Sequence, residues 1–439
     1  MFTKILIANR GEIAIRIIRA CKEMGIATVA VYSQADKDAL HTALADQAVC
    51  VGGPRPEDSY LNAQRIISAA LATGAQAIHP GYGFLSENAG FAAMCRQYGI
   101  TFIGPPAEVI VKMGDKEAAR SLMKANGVPT TPGTGVLPDP EAAKEAAGAI
   151  GYPVMIKASA GGGGKGIRLV ERPEDLERAF RTASTEAQNA FGDGRVYLEK
   201  YLDPVKHIEV QLLADQQGHT VCLGERECSI QKNNQKLIEE SPSPGVNPAV
   251  RQKLIEAAAK AAVAAGYVNA GTVEFLMEPS GEFYFMEMNT RLQVEHPVTE
   301  LVTGLDIVKW QIRIAAGVPL DFAQGDIQLQ GAAIECRINA TNASRVEFFH
   351  PPGGPWVRFD TCLYQGCDVT PYYDSMLGKL IVYSSTREEA IRKMQSALCE
   401  LVVNGVDNNI ETQIEIVRDR RFRAGDYYTD FMKFFRAKS

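Results

Sequence analysis

The stretch from 283 to 296, FYFMEMNTRLQVEH, concentrates side chains able to do ionic chemistry. Glu287, Asn289, Arg291, Gln293 and Glu295 share one parity, so an extended strand running through them shows all of them on one face. Tyr284, Met286 and Met288 then turn the other way, into apolar packing. An acidic residue and an amide two positions apart suit Mg2+, a hard cation that takes one or two carboxylates and completes its shell with water and nucleotide phosphates. An Arg and a Glu just beyond suit an anionic second substrate and a base. The alternative is a solvated strand face.

Other parts of the chain add to the first reading. SAGGGGKGIRLV (159–170) places Gly161, Gly162, Gly163, Gly164, Lys165 and Gly166 between two strands. Glycines let backbone N–H groups approach an anion closely, and Lys165 adds charge. Gly166 follows Lys165 where a Walker A loop needs Ser or Thr, so a hairpin closing over phosphates fits better. Lys157 ends the strand feeding this loop, and a strand lysine calls for a partner such as phosphate. Lys116 opens a helix and alone reads as surface. Glu199, Lys200 and Leu202 lie where a small segment rejoins a larger one, either an adenine-binding hinge or a plain strand end. His207 alone reads as structural. Glu274 lies on TVEFLM, one strand before Glu287; if these strands pair, the two carboxylates bracket one or two metal ions. Lys236, Arg291 and Arg337 then supply cations for an acidic co-substrate, with Glu295 as base.

These residues need elements to hold them. Up to 106, apolar strand runs (4–9, 27–33, 47–53, 77–80, 101–106) alternate with helical patterns (12–24, 36–46, 60–73, 87–98), which predicts a parallel, helix-flanked sheet. No complete GxGxxG follows the first strand, so a dinucleotide site is not supported. A helix over 115–127 leads to a small segment, about 131–202, with strands at 153–159 and 195–202 and helices at 141–150 and 173–190. From 206 the pattern is antiparallel, with helices at 248–266 and 298–316, a turn-rich linker at 319–331, and a mixed last hundred residues with helices at 387–402 and 407–418. The expected fold class is α/β and α+β: an N-terminal parallel α/β domain (1–113), a central domain with a mobile glycine-loop lid (114–328), and a mixed C-terminal domain (329–439).

The 439 residues are 46% hydrophobic with net charge −6, which favours neither nucleic acid nor an anionic membrane as partner. No apolar run nears the roughly 18 residues of a membrane helix. Nine scattered cysteines without a CxxC point to reduced thiols and a cytoplasmic location, and six His without paired spacing argue against zinc.

Taken together, ANRGEIAIRIIRACKEMG, HPGYGFLSEN, FIGPP, MGDKEAAR, KASAGGGGKGIRLV, YLEKYL, HIEVQ, GERECSIQ, GTVEFL, EMNTRLQVEHPVTE, CRINA and PYYDSMLGKLI give the chain a close, nearly full-length resemblance to the biotin carboxylase family of the ATP-grasp superfamily. The resemblance implies a ligase in which ATP and bicarbonate form carboxyphosphate and the carboxyl group passes to biotin N1′. It implies that Lys116 and Lys157 hold ATP phosphates under the 161–166 lid, that Glu199 and Leu202 border the adenine, and that Lys200 belongs to the same ATP site. His207, Gln231 and Asn234 would line the nucleotide site, and Glu274, Glu287 and Asn289 would bind Mg2+ or Mn2+, two ions in all. Lys236, Arg291, Gln293 and Val294 would hold bicarbonate, and Glu295 would deprotonate it. Arg337 would stabilise carboxyphosphate and the biotin enolate, and Tyr82 would form part of the biotin pocket. Two places depart from the family. KNNQK (232–236) stands where RRHQK is usual, and the segment after CRINA (336–340) is several residues short, near the family's dimer contacts. Arg16, Arg19 and Glu23, expected on the exposed face of the first helix, and Phe359 match dimer positions, so a homodimer is expected. No Met-Lys-Met occurs, so biotin is expected on a separate biotin carboxyl carrier protein, beside carboxyltransferase subunits of an acetyl-CoA carboxylase or related enzyme. Two other readings are a weakly active nucleotide-binding scaffold and an ATP-grasp ligase with another acceptor, such as an amine.

Overall fold

Ile5, Leu6 and Ile7 of β1 (Lys4–Ile7) are fully buried, as the centre of a parallel sheet covered on both faces requires. In the computed structural model, which describes residues 1–160 and 166–435, β1 pairs in parallel with β2 (Ala27–Ser33), which carries β3 (Gln47–Gly52). On its other side it pairs with β4 (Ala77–His79), which carries β5 (Thr101–Phe102). The order β3-β2-β1-β4-β5 is the α/β sheet expected from the pattern. Just past β1, the Asn9 side-chain amide donates to the carbonyls of Pro80 and Tyr82, both at 2.7 Å, and so sets the loop that carries Tyr82.

The helix Gly11–Glu23 buries Ile13, Ile17, Ile18 and Cys21. Arg16, expected on its exposed face, is buried instead and reaches Glu300 and Asp306, each at 2.7 Å. The wide apolar stripe of this helix leaves little free face, so Arg16 is spent inside the chain. Arg19 and Glu23 stay exposed.

The small segment forms an antiparallel sheet of β6 (Val154–Ala158), β7 (Ile167–Val170) and β8 (Val196–Lys200), backed by the helices Pro140–Ile150 and Leu176–Phe191. Next come β9 (Lys206–Ala214), β10 (Thr220–Lys232), β11 (Gln235–Ser241), β12 (Asn269–Met277), β13 (Phe283–Asn289), β14 (Ala332–Asn339), β15 (Phe348–His350), β16 (Val357–Thr361), β17 (Met376–Ser384) and β18 (Val402–Asn404). Eight of these make one antiparallel sheet in the order β13-β12-β9-β10-β11-β14-β17-β16. The join between its central and C-terminal segments is the β11–β14 pair, with Ile238 opposite Cys336. Strand β11 went unrecognised in the sequence, because the Asn233-Asn234 tip before it reads as loop. Both Asn have positive φ (53° and 62°), which makes the tip a tight two-residue hairpin turn.

The single helix expected over 298–316 is two, His296–Thr303 and Ile307–Ala315. Gly304 ends the first with φ 72°, and the Asp306 carboxylate caps the second by accepting from Lys309 N. In the shortened segment after Ala340, the chain makes a lone bridge from Arg345 to Asp368 and then pairs β15 with β18.

Candidate active site

Strand β13 is the outer wall of the site, and its geometry corrects the simple parity reading. Phe275 lies opposite Phe285, but Glu274 lies opposite Glu287, so Met286 is an extra, bulged residue. A bulge reverses the alternation past it. Phe283, Phe285 and Met288 therefore all enter the core, and Tyr284 and Met286, expected there, do not. Without the bulge Glu287 would share a face with Phe283 and Phe285. The strand also stops at Asn289 instead of running to Glu295. Arg291 and Gln293 lie on the bend that follows, and Glu295 is the N-cap residue of the helix His296–Thr303.

The bend nevertheless gathers the expected side chains. The Lys236 ammonium donates to Glu209 (2.6 Å), Glu274 (3.0 Å) and Glu295 (2.6 Å). The Arg337 guanidinium donates to Glu239 (2.6 Å) and to the other Glu295 oxygen (2.9 Å). Burial alone would push the Glu295 carboxyl up, but Lys236, Arg337 and Arg226 hold it well below the usual carboxylate range. Arg337 has one charge for two carboxylates. Glu239, which has no hydrogen bond to Lys236, is left raised to about 7 by its burial and by the Glu295 charge, despite Arg337 and the more distant pull of Lys236. Burial also works against ionised Glu274, and Lys236 and His207 overcome it, leaving that carboxyl well below its ordinary value.

Beside this floor, the Arg291 guanidinium donates to Glu87 (2.8 Å), Gln293 (2.9 Å) and Asn289 (3.2 Å). The Gln293 amide donates in turn to Glu274 (3.1 Å). Lys116 Nζ lies 2.9 Å from Glu287. His207 Nε2 lies 3.0 Å from Glu274, and its Nδ1 accepts from the Gln231 amide at 2.9 Å. Glu274, Glu287 and Asn289 offer hard oxygen donors from adjoining strands, and the buried Asn289 amide nitrogen has no hydrogen-bond partner. That donor set fits Mg2+ or Mn2+.

A second group of candidate residues lies on β6 and β8. Lys157 donates to Glu199 at 2.5 Å, and Arg120 stands 3.7 Å from the same carboxylate. The Lys200 ammonium is bound to the carbonyls of Gly151 (2.9 Å) and Tyr152 (3.0 Å), so its side chain braces the end of the helix Pro140–Ile150. Leu202 is half-buried just past β8. Asn234 sits exposed at the hairpin tip. Gly161, Gly162, Gly163, Gly164 and Lys165 lie outside the described residues. Gly166 has φ 69°, and a Cβ there would sit 2.8 Å from that of Ala158.

Several supporting residues escaped the sequence reading. Glu209 lies on β9, where every residue is buried, and pairs with both Lys236 and the fully buried Arg226. Glu239 and Glu87 anchor Arg337 and Arg291. Their signal is a charge within a strand-like run, or an acid in the loop after GYGFLS, but only pairing across strands shows what each charge meets.

Comparison with known proteins gives three consecutive family matches: the biotin carboxylase N-terminal domain over residues 1–110, the carbamoyl-phosphate synthase L chain ATP-binding domain over 115–323, and the biotin carboxylase C-terminal domain over 335–433. The chain is 52% identical to biotin carboxylase 1 of Bacillus subtilis over 443 residues, covering 99% of this chain and 98% of that protein. It is 51% identical over 445 residues to a pyruvate carboxylase subunit of Methanothermobacter thermautotrophicus, covering 99% and 90%. Among solved structures, a biotin carboxylase complex from Campylobacter jejuni superposes with a TM-score of 0.97 at 47% identity, over 99% of both chains. The biotin carboxylase domain dimer of Hydrogenobacter thermophilus 2-oxoglutarate carboxylase, solved with MgADP, ADP and bicarbonate, gives 0.95 at 50% identity, over 99% of this chain and 97% of that one.

Proposed function

This chain belongs to the biotin carboxylase family, and we propose that it carboxylates biotin at N1′ with ATP and bicarbonate, Glu295 serving as the base. The observation that carries the reading is the placement of Glu295 between Lys236 and Arg337 at 2.6 and 2.9 Å. A carboxylate held this low is a weak base until its cations are shared. Bicarbonate entering among Lys236, Arg291, Gln293 and Val294 competes for the same donors. That competition raises Glu295's proton affinity as the substrate's own falls. Glu295 takes the bicarbonate proton, the freed oxygen attacks the γ-phosphorus of ATP, and ADP leaves. The carboxyl group of carboxyphosphate then bonds to biotin N1′ as its bond to phosphate breaks, and the departing phosphate takes the N1′ proton. Arg337 faces the charge that develops on both partners, and Tyr82 forms a wall of the biotin pocket.

Glu274, Glu287 and Asn289 would hold Mg2+ or Mn2+, which supplies neutralisation of phosphate charge when bound. Lys116 and Lys157 would turn from Glu287 and Glu199 to the phosphates, His207 and Gln231 would border the nucleotide, and Glu199 and Leu202 would flank the adenine. Residues 161–166 would close over the phosphates and exclude water from a labile intermediate. Asn234, exposed at its turn, would contribute only at the rim.

The carrier would be a separate biotin carboxyl carrier protein, in a homodimeric subunit that works with carboxyltransferase. Relatives named for pyruvate and 2-oxoglutarate carboxylases match nearly as closely as biotin carboxylase 1, at 51% and 50% against 52% identity, so this chain does not encode the final acceptor. Acetyl-CoA carboxylase, feeding malonyl-CoA and fatty acid synthesis, is the role proposed. Nine free cysteines suit a cytoplasmic setting. The test is ATP hydrolysis with Mg2+ and bicarbonate, with and without free biotin. Biotin-stimulated hydrolysis is expected, and hydrolysis indifferent to both biotin and bicarbonate would overturn the reading.

A further inference from the structure

One fully buried cation stands outside the chemistry so far described. Lys379, on β17, has no exposed surface. A buried ammonium is costly unless its donors are met, and an apolar residue of similar volume would often be at least as stable there. Its partners come from elsewhere in the chain. Lys379 Nζ donates to the Val294 carbonyl at 2.8 Å and lies 3.2 Å from Glu12 on the helix Gly11–Glu23. The same Glu12 oxygen accepts the hydroxyl hydrogen of Tyr82, whose ring centroid is 5.9 Å from the ammonium. Three segments that match three separate family domains thus meet at one nitrogen atom.

The other charged neighbours on the sheet make no hydrogen bond or ion pair to it, although its charge acts on Glu335 and Asp360. Asp360 lies opposite Lys379 in register, but Arg358 holds its carboxylate at 2.6 Å. Arg337, the cross-strand neighbour on β14, is committed to Glu239 and Glu295. Glu335, two residues earlier on β14, has neither carboxyl oxygen hydrogen-bonded. The ammonium is therefore directed to Val294 and Glu12, and those partners lie at opposite ends of the reaction: Val294 immediately precedes the base, and Glu12 orients the tyrosine on the biotin side.

We propose that Lys379 is a positioning residue that couples the biotin wall to the bicarbonate base, fixing Tyr82 through Glu12 and the Val294–Glu295 turn through the Val294 carbonyl. The proposal rests on the bicarbonate and biotin placements given above. A loss of this tie lets both subsites drift, and a misplacement of about 1 Å can cost roughly 10²-fold in rate.

The test compares Lys379→Met and Glu12→Gln with the parent protein, measuring kcat, the separate KM values for bicarbonate and free biotin, and ADP affinity. Lys379→Met is expected to lower biotin-dependent kcat by on the order of 10²-fold, raise both KM values, and leave ADP affinity within about twofold. Glu12→Gln, nearly isosteric, is expected to raise the biotin KM more than the bicarbonate KM. Parental KM values in Lys379→Met, or an unchanged biotin KM in Glu12→Gln, would sink the proposal, and so would a uniform loss that includes ADP binding in both variants. If the parent itself shows no biotin-dependent turnover, the functional reading fails first. A crystal structure of Lys379→Met then decides the coupling: Val294 and Tyr82 both displaced support it, and both unmoved overturn it.

Discussion

The floor of the site and its proposed nucleotide edge hold similar charges in opposite ways. At the floor, Glu209, Glu274 and Glu295 converge on Lys236, Glu295 is shared with Arg337, and Arg226 closes the set from beneath with no exposed surface. At the edge, Lys116–Glu287 and Lys157–Glu199 are separate pairs, and all four groups but Glu199 are half-exposed. Interlocked buried charges keep their geometry before substrate arrives, which suits a transition state with developing charge. Paired charges at a rim can exchange one anion for another, which suits a nucleotide that must enter and leave.

Replacing Glu295 with Gln should break the floor's chemistry while sparing the edge. Bicarbonate- and biotin-dependent turnover should fall by on the order of 10²–10⁴-fold, with ADP affinity within about twofold by calorimetry. An unchanged rate would remove Glu295 as base. Arg226→Met tests whether the floor is structurally interlocked. It leaves Glu209 with one cation fewer, and a loss of about 3–5 kcal/mol is expected in denaturant unfolding. A loss under about 1 kcal/mol would show that the floor is not interlocked. Lys157→Ala should act at the edge alone, weakening ATP by roughly tenfold or more with little change in unfolding midpoint, because a hydrogen bond to a charged group contributes about 1.5–3 kcal/mol. Loss of stability without loss of affinity would reverse the comparison.

The smallest effect expected is a pH dependence. Glu239 is raised to about 7 in the folded protein, above an unfolded value of about 4.3. A raised carboxyl contributes stability that is fully present below the unfolded value and is lost as pH rises through the folded one. Glu239→Gln abolishes that titration. Its stability relative to the parent should therefore improve between about pH 4.3 and pH 7, whatever the offset from losing the Arg337 contact. A difference independent of pH would show that Arg337 keeps Glu239 ionised throughout, like Glu295.

Much of this was legible in the residues. The parallel N-terminal sheet followed from apolar runs at helix–strand spacing, and the residues of EMNTRLQVE do gather around one centre. The route by which they gather was not legible. Alternation along a strand is a local rule, and the bulge at Met286 breaks it because Phe283, Phe285 and Met288 are all drawn into one core. Arg16 reads as a surface residue beside Arg19 until Glu300 and Asp306, nearly three hundred positions later, are seen to meet it. Lys200 shows the same limit on a smaller scale, since its partners are the carbonyls ending a helix of the lid segment.

By itself, then, the sequence determined which chemical groups this protein has, the periodicity of most of its elements, and the family to which it belongs, because those properties reside in residue types and short spacings. Only the tertiary structure decided which carboxylate is ionised, which cation is shared, and that Lys379 joins three segments at one point. Those outcomes depend on burial and on distances between residues remote in the chain, and the energies of charges removed from water are set by what surrounds them.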